Sequence, residues 1–397
     1  MAADNNRNVD VAVIGAGAAG LMCAIEAGKR GRRVVVLDHA NKPGKKILMS
    51  GGGRCNFTNL SISHDNYISS NRHFCKSALS RFTQQDFIDL VNSHGIAWHE
   101  KEHGQLFCDN SSRDILDMLL TECRQHDVAI RLDCEIGQVG RTESGFVVTT
   151  ASEEIRSQSL VVASGGLSIP KMCASPIGYR IAEQFGLSIQ PTRAGLVPFT
   201  LHPEDKQRLA SLSGIAVDVN VYNDRASFRG SLLFTHRGIS GPAILQISSY
   251  WKPGEHIVVD ITPGLDVSAL LRSARQEQPR LCLKNLLARY LPRRVVTVLV
   301  QPELADCQLA ELSNRDISQV RDQLQQWQLR PNNTEGYRTA EVTLGGVHCD
   351  EVSSRTFESK KVAGLYFIGE VLDVTGHLGG YNFQWAWSSG WCAGQGV

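Results

Sequence analysis

A glycine turn near the start of the chain restricts the possible folds more than any other segment. Gly15, Gly17 and Gly20 form the pattern G-x-G-x-x-G between the apolar segments VDVAVIG and RRVVVLD, with AGAAGLMCAIEAGKRG separating the two. Residues 9–38 therefore predict a strand, a tight turn, a helix and a second strand. In such a unit the first glycine makes the turn, the second lets a pyrophosphate approach, and the third packs helix on strand. The turn predicts dinucleotide contacts at Gly15, Ala16, Gly17, Ala18 and Gly20.

Two acidic residues at strand ends indicate which dinucleotide is bound. Asp38 ends the second strand, where its carboxylate can accept hydrogen bonds from the ribose of adenosine, with His39 beside it as a further contact. Near the other end of the chain, Gly369 and Glu370 follow the strand-like segment Gly364–Ile368. Flavoproteins of the glutathione-reductase type use such a pair to hold the ribityl chain of the flavin, and simple dehydrogenases do not need it. The pair Gly369 and Glu370 therefore favours FAD over NAD.

The segment from Lys42 to Asn59 has no periodic apolar pattern, and it contains the dense run KKILMSGGGRCNFTN. Consecutive glycines permit close backbone approach and can present N–H groups to an anion. The basic side chains beside them can neutralise a pyrophosphate or stabilise reduced flavin. A flexible surface loop is the alternative interpretation. The cofactor contacts predicted here are Lys45, Lys46, Ser50, Gly51, Gly52, Gly53, Arg54 and Asn56.

The rest of the sequence predicts a nucleotide-binding domain that is split by an inserted domain. Helical and strand patterns extend the first domain at 84–94, 112–126, 129–136, 145–150 and 159–163. From about Gln190, alternating segments such as IAVDVNVY predict antiparallel strands of a small barrel or sandwich, and Val267–Gln326 has a helical pattern. The chain then returns to a strand at Gly364–Ile368 and closes with a helix after Gly380.

Composition excludes several other classes of protein. With 42% apolar residues and a net charge of +1, the chain can bury a core, and its overall charge requires neither nucleic acid nor an anionic membrane. The eleven cysteines contain no C-x-x-C pair, so we predict neither a disulfide framework nor a metal site. The start MAADNNRNVD is unlike a secretory signal, and glycines disfavour a membrane helix at Val9–Ile25. We expect a cytoplasmic protein.

Four motifs together resemble one known family. They are the glycine turn, the loop SGGGRCNFTN, the segment Thr235–Pro242 (THRGISGP) and the segment Gly379–Gln384 (GGYNFQ). Over essentially its whole length the chain resembles the bacterial flavoprotein family called HI0933-like or BaiN/RdsA-like. The resemblance implies an α/β fold, in which a glutathione-reductase-type FAD-binding Rossmann-like domain is interrupted by an inserted β-barrel plus helical domain. Asp38 stands where glutamate is commoner in this family, which shortens the ribose contact.

The resemblance also implies domain borders and further contacts. We expect the FAD-binding domain at 1–190 and 336–397 and the insertion at 191–335, with a β-barrel part at 191–265 and a helical part at 266–335. The N-terminus of the helix at Tyr381–Trp391 is expected to face the flavin pyrimidine ring, while its tryptophans pack in the core and at the surface. The remaining predicted cofactor contacts are Ile136, Ala163, Gly165, Gly166, Gly369, Glu370, Gly380, Asn382 and Phe383.

Two motifs that the sequence lacks limit the reactions that the chain is expected to catalyse. The chain has no second G-x-G-x-x-G and no C-x-x-x-x-C pair after the first strand, so disulfide reduction is disfavoured and NAD(P)H is expected to bind only transiently. Members of the resembled family reduce conjugated C=C bonds, in steroid-like enones or in a uridine of large-subunit ribosomal RNA, which gives dihydrouridine. Both imply hydride transfer from reduced flavin and protonation by a nearby acid. Cys55, beside Arg54, is the candidate acid, and His236 is either a second catalytic group or a structural histidine.

A basic segment favours the RNA substrate. Between Leu271 and Val300, Glu277 is the single acid among seven basic residues: Arg272, Arg275, Arg280, Lys284, Arg289, Arg293 and Arg294. This concentration predicts a phosphate-binding surface, and solvated helix faces are the alternative. We interpret the chain as an FAD-dependent oxidoreductase that reduces a uridine of 23S ribosomal RNA, with the RNA bound through the insertion. The alternatives are reduction of a small enone, an amine oxidase-like flavoenzyme and a non-catalytic flavin redox sensor.

Overall fold

The computed structural model describes residues 8–397, so the first seven residues of the polar start lie outside the described part of the chain. The β-strands are Asn8–Ile14 (β1), Val34–Leu37 (β2), Asn56–Asn59 (β3), Tyr67–Ile68 (β4), Trp98–Glu100 (β5), Gln105–Cys108 (β6), Ala129–Arg131 (β7), Ile136–Thr142 (β8), Gly145–Thr150 (β9), Glu154–Val162 (β10), Ile189–Gly195 (β11), Phe199–Leu201 (β12), Ala216–Tyr222 (β13), Ser227–Phe234 (β14), Gly238–Ser240 (β15), Ile257–Asp260 (β16), Trp327–Leu329 (β17), Pro331–Thr334 (β18), Val342–Val347 (β19), Leu365–Phe367 (β20) and Thr375–Gly376 (β21).

The α-helices are Ala18–Lys29 (α1), Lys45–Met49 (α2), Lys76–Arg81 (α3), Gln84–Ser93 (α4), Ser112–Gln125 (α5), Ile177–Gln184 (α6), Pro203–Leu209 (α7), Pro242–Ser248 (α8), Val267–Glu277 (α9), Leu283–Leu287 (α10), Arg293–Leu299 (α11), Pro302–Ala305 (α12), Asn314–Gln325 (α13) and Tyr381–Gly394 (α14). Within residues 8–397, none of these helices combines the length and the apolar character needed to cross a membrane. The chain divides into two compact units, one made of the residues up to Arg193 together with Val342–Val397, and the other of Ala194–Glu341.

The first unit is built around a sheet with the strand order β7-β2-β1-β10-β9-β8, in which β20 also pairs with β10. Strands β7, β2, β1, β10 and β20 are parallel, and β9 and β8 form an antiparallel extension. The first half of β10 pairs with β9, and Leu160–Val162 in its second half pairs with β20. Strand β2 is the continuous apolar run VVVL because it is buried on both faces, as expected for a parallel sheet covered by helices.

The second unit contains an antiparallel sheet with the order β17-β16-β13-β14-β15-β12-β18. Its two edge strands follow one another in the chain with only Arg330 between them, so the sheet must be rolled until its edges meet. Strand β13 alternates buried and accessible side chains, and its apolar face packs with helices α9 to α13 in a core separate from that of the first unit. The predicted fold class, a Rossmann-like domain interrupted by a β-barrel and helices, is confirmed.

Candidate functional site

The glycine turn lies at the carboxyl end of β1 and leads into α1. Gly15 has a φ of +114°, and a Cβ atom there would lie 2.3 Å from the carbonyl oxygen of Ala163. A Cβ on Gly20 would lie 1.9 Å from the carbonyl oxygen of Gly15, so α1 can approach β1 only through glycine. Gly17 differs, because its φ is −86° and a Cβ there would meet no atom within 4 Å. The space beside Gly17, at the N-terminus of α1, is therefore open to an anion.

Asp38 is held beside this turn by two backbone hydrogen bonds. The N–H of Ala16 donates to its Oδ2 at 2.7 Å, and the N–H of Ala40 donates to its Oδ1 at 2.8 Å. The Nδ1 of His39 lies 3.7 Å from Oδ1 of the same carboxylate. The N–H of Cys134, two residues before Ile136, donates to the carbonyl oxygen of Asp38 at 2.9 Å. Each carboxylate oxygen keeps a second lone pair, so Asp38 can hold the turn and also accept from a ribose hydroxyl.

The segment Lys42–Asn59, which has no periodic apolar pattern in the sequence, forms helix α2, a 3-10 turn at Ser50–Gly53 and strand β3. The three glycines have left-handed φ values of +58° at Gly51, +65° at Gly52 and +87° at Gly53. A Cβ on Gly51 would lie 2.8 Å from the ring of Phe107, whereas Gly52 and Gly53 face open space. Three consecutive residues in this conformation require glycine, and the turn that they form is accessible to a ligand.

Lys46 connects α2 to the C-terminal part of the first unit. Its Nζ donates to Oε2 of Glu370 at 2.6 Å and to Oγ of Ser168 at 2.7 Å. The Oε1 of Glu370 accepts from Ser168 Oγ at 3.1 Å and from the N–H of Thr343 at 3.0 Å. A Cβ on Gly166 would lie 2.9 Å from this Oε1, so the glycine leaves room for the carboxylate. The structure thus brings together three predicted site residues, Lys46, Gly166 and Glu370.

The segment after β10 lies between the glycine turn and the glycine-rich segment. The N–H of Ala163 donates to the carbonyl oxygen of Ile14 at 2.8 Å, and Gly165 has a left-handed φ of +72°. Farther along, Cys173 Sγ accepts a hydrogen bond from Nζ of Lys45 at 3.1 Å. Lys45 and Lys46 therefore both direct their side chains to the residues that follow β10.

Strand β3 is tied to the start of α14. When the side-chain amide of Asn56 is oriented so that both its oxygen and its nitrogen have hydrogen-bond partners, Oδ1 accepts from the N–H of Gly380 at 3.2 Å. The Nδ2 of Asn59 donates to the carbonyl oxygen of Gly379 at 2.9 Å. Gly380 has a φ of +96°, and a Cβ there would lie 2.4 Å from the carbonyl oxygen of Thr58. The glycine-rich segment Lys42–Asn59 and the segment Gly379–Gln384 therefore meet in the folded chain.

Asn382 and Phe383 hold the beginning of α14 in the described structure. Asn382 Oδ1 accepts from the N–H of Gly376 at 2.8 Å, and its Nδ2 donates to the carbonyl oxygens of Gly376 at 2.9 Å and His377 at 3.1 Å. The ring of Phe383 stacks on Trp387, which is fully buried, with 5.6 Å between ring centroids. Contact of either side chain with a cofactor stays a prediction.

The comparisons with known proteins agree with this architecture. The profile described as HI0933-like protein Rossmann domain matches residues 9–396. The chain belongs to the HI0933-like family. It is 56% identical over 388 residues to the ribosomal RNA dihydrouridine synthase of Escherichia coli K12, with 97% of each chain covered. It is 50% identical to the protein of the same name from Haemophilus influenzae Rd, with 96% of each chain covered. The 3-dehydro-bile acid delta(4,6)-reductase of Clostridium scindens is 28% identical over 97% of this chain and 98% of that one.

The two catalytic candidates in this member of the HI0933-like family have different surroundings. Cys55 is fully buried with a φ of +47°, and burial raises the pKa of its thiol to about 12. The thiol is therefore protonated at neutral pH, and it can reach a substrate only if the loop around it moves. His236 is exposed in the second unit, in the turn between β14 and β15 where Thr235 Oγ1 accepts from the N–H of Gly238 at 3.1 Å. Their catalytic roles stay predictions.

Sequence reasoning missed three polar groups of this region. Ser168 and Thr343 contact Glu370, and His377 lies two residues before Gly379. Burial lowers the pKa of His377 to about 4, so its imidazole is neutral at pH 7. A threonine inside the apolar strand VTLGGV was a readable signal for Thr343. The sequence around Ser168 contains no comparable signal, because its partners lie far away in the chain.

Proposed function

We propose that the chain is an FAD-dependent enzyme that reduces a uridine of ribosomal RNA to dihydrouridine, with 23S ribosomal RNA as the substrate. The observation that carries the proposal is the 56% identity, over nearly the whole chain, to the Escherichia coli ribosomal RNA dihydrouridine synthase. The 50% identity to the Haemophilus influenzae relative supports the same activity. A cytoplasmic location follows from this substrate.

Three features of the first unit fit FAD. The open space at Gly17 suits a pyrophosphate, because the N-terminus of α1 supplies unpaired N–H groups and partial positive charge. Asp38 keeps lone pairs for the ribose hydroxyls. Lys45 adds positive charge next to the left-handed turn at Gly51–Gly53, and Lys46, paired with Glu370, holds α2 before that turn. FAD, when bound, supplies the two-electron chemistry that reduces an activated C=C bond.

The overall reaction saturates the C5–C6 bond of uridine and consumes one NAD(P)H and one proton, yielding NAD(P)⁺ and dihydrouridine. NAD(P)H is assigned as a transient reductant, because the sequence contains a single dinucleotide turn. Cys55 is assigned as the proton donor, since burial keeps its thiol protonated. The ion pair between Lys46 and Glu370 holds α2, which precedes the loop that carries Cys55, against the end of β20.

The decisive experiment is mass spectrometry of ribosomal RNA nucleosides from cells with and without the gene. Dihydrouridine should disappear from 23S ribosomal RNA in the deletion strain and return when the wild-type gene is restored. A complementing gene encoding Gly17→Ala, which is expected to bind FAD poorly, should restore little of it. Undiminished dihydrouridine in the deletion strain would overturn the proposed function.

A second candidate is reduction of a small conjugated enone, favoured by the 28% identity to the bile acid reductase. The higher identities to the ribosomal RNA enzymes, 56% and 50% against 28%, place it behind the first. The two are separated by the oxidation of NADPH by the purified holoenzyme: an RNA reductase is stimulated by 23S ribosomal RNA that lacks dihydrouridine, and an enone reductase is stimulated by a 3-keto-4-ene steroid.

A further inference from the structure

The helical part of the second unit presents exposed arginines around one exposed tyrosine. We call the surface formed by Arg280, Arg289, Tyr290, Arg293 and Arg294 the 280–294 surface. All five side chains are exposed, and 50% of Tyr290 is accessible to solvent. Among the described residues, Tyr290 is the most exposed of the large hydrophobic side chains, so its ring is accessible to a ligand.

This surface rests on a fixed apolar base. Helices α10 and α11 turn their leucines and valines inward, and Leu287, Leu291 and Val295 are buried. The N–H of Tyr290 donates to the carbonyl oxygen of Leu287 at 3.0 Å, which continues the backbone geometry of α10 beyond its end. The arginines and Tyr290 therefore project from ordered backbone, which lowers the entropy cost of binding a ligand.

Two basic residues of this segment already have partners in the structure. Lys284 pairs with Asp306, and Arg275 donates to the carbonyl oxygen of Leu312, so these two are committed to internal contacts. Arg289 donates to Oε1 of Gln278, a neutral group that leaves its charge uncompensated.

The other arginines of the surface also keep their charge. Within residues 8–397, no carboxylate lies within ion-pair distance, 4.0 Å, of Arg280, Arg289, Arg293 or Arg294. Arg293 begins α11, which packs against α10. Four guanidinium groups therefore remain available to an anionic partner.

We infer that the 280–294 surface binds an unpaired segment of the RNA substrate, with the arginines on phosphates and the ring of Tyr290 stacked on a base. The inference rests on the proposed function for the identity of the RNA. Guanidinium groups alone would hold a duplex equally well, because both forms present phosphates. An exposed ring flanked by them adds affinity only for a base that is not already stacked and paired.

The test measures RNA binding by the FAD-loaded protein. Fluorescence anisotropy compares a labelled oligouridine of about 12 nucleotides with an RNA duplex of about 12 base pairs, at several salt concentrations. Tyr290→Ala should weaken binding of the oligouridine by about 5-fold to 100-fold and leave the duplex nearly unaffected, whereas Tyr290→Phe should retain binding. The double variant Arg293→Ala/Arg294→Ala should flatten the dependence of log Kd on log salt by about 1.4, at roughly 0.7 for each lost phosphate contact.

Arg229→Ala is the matched control, because Arg229 is also an exposed arginine of the second unit, and its charge is already paired with Asp218. It should bind both RNAs like the wild type. Unchanged oligouridine binding in both Tyr290→Ala and the double arginine variant would overturn the inference, provided that their thermal unfolding and their FAD content match the wild type. This readout is independent of dihydrouridine formation, so failure of the proposed function, seen as undiminished dihydrouridine in the deletion strain, and failure of the surface are distinguishable.

Discussion

Gly17 offers a way to separate cofactor binding from folding. A Cβ at this position would meet no protein atom within 4 Å, and the φ of −86° is one that alanine adopts freely. In Gly17→Ala the loss of a good N-cap residue costs up to about 1 kcal/mol, and lower backbone entropy of the unfolded chain returns about 0.4–1 kcal/mol. The free energy of unfolding of the FAD-free protein should therefore change by less than about 1 kcal/mol.

The same methyl group would occupy the space assigned to the pyrophosphate. Crowding by one methyl costs about 1–3 kcal/mol in a close-packed contact, which corresponds to FAD binding that is roughly 5-fold to 150-fold weaker. The assay titrates FAD into the apoprotein and follows flavin fluorescence, with thermal unfolding of the apoprotein measured in parallel. Gly20→Ala is the contrasting variant, because its Cβ would lie 1.9 Å from the carbonyl oxygen of Gly15 and the fold itself should be destabilised, by about 3 kcal/mol or more. Wild-type affinity for FAD in Gly17→Ala would refute the assignment.

Three further perturbations follow from the described contacts. Lys46→Met leaves Glu370 without its cation and should weaken FAD binding about 10-fold in the same titration. The effects of Lys46→Met and Glu370→Gln on FAD binding should be less than additive. Additive effects would mean that the pair does not act as a unit. Cys55→Ala should keep FAD bound but slow reoxidation of the reduced enzyme by RNA in stopped-flow absorbance, and an unchanged rate would exclude the thiol as proton donor. The folded-state pKa of His377, about 4, lies below the value near 6.5 of an unfolded chain. The free energy of unfolding should therefore fall by up to about 3 kcal/mol as the pH falls from about 6.5 towards 4. His377→Gln should remove this part of the pH dependence, measured by denaturant unfolding, and an identical pH dependence would contradict the buried neutral imidazole.

The glycine turn could be predicted from the sequence because two of its glycines, Gly15 and Gly20, each meet a local steric requirement. Gly15 and Gly20 make contacts with backbone atoms that exclude any side chain, and they stand at fixed spacing after an apolar strand. The order of the segment Lys42–Asn59 was not readable in the same way. It depends on hydrogen bonds such as that of Asn59 to Gly379, a residue that lies far away in the sequence, and periodicity reports only on neighbours within a few residues.

The pairing of charges was hidden from the sequence for the same reason. The sequence shows that basic residues are concentrated between Leu271 and Val300, but it does not show which of them have partners inside the protein. Only the fold shows that Asp306 neutralises Lys284 and that Arg275 holds the carbonyl oxygen of Leu312. The partnership of Lys46 with Glu370 likewise joins two residues that the sequence marked separately.

The interruption of the first unit by the second affects the order of folding during synthesis. All residues of the second unit have been made when Glu341 is reached, whereas the first unit still lacks β20 and α14. Helix α14 packs closely on α1, since a Cβ on Gly390 would lie 2.5 Å from the carbonyl oxygen of Ala19. The buried face of α1 therefore waits for roughly 50 more residues, about 3 to 10 s at typical synthesis rates. During that interval the inserted unit can fold, while the nucleotide-binding sheet of the first unit remains exposed to chaperones and to aggregation.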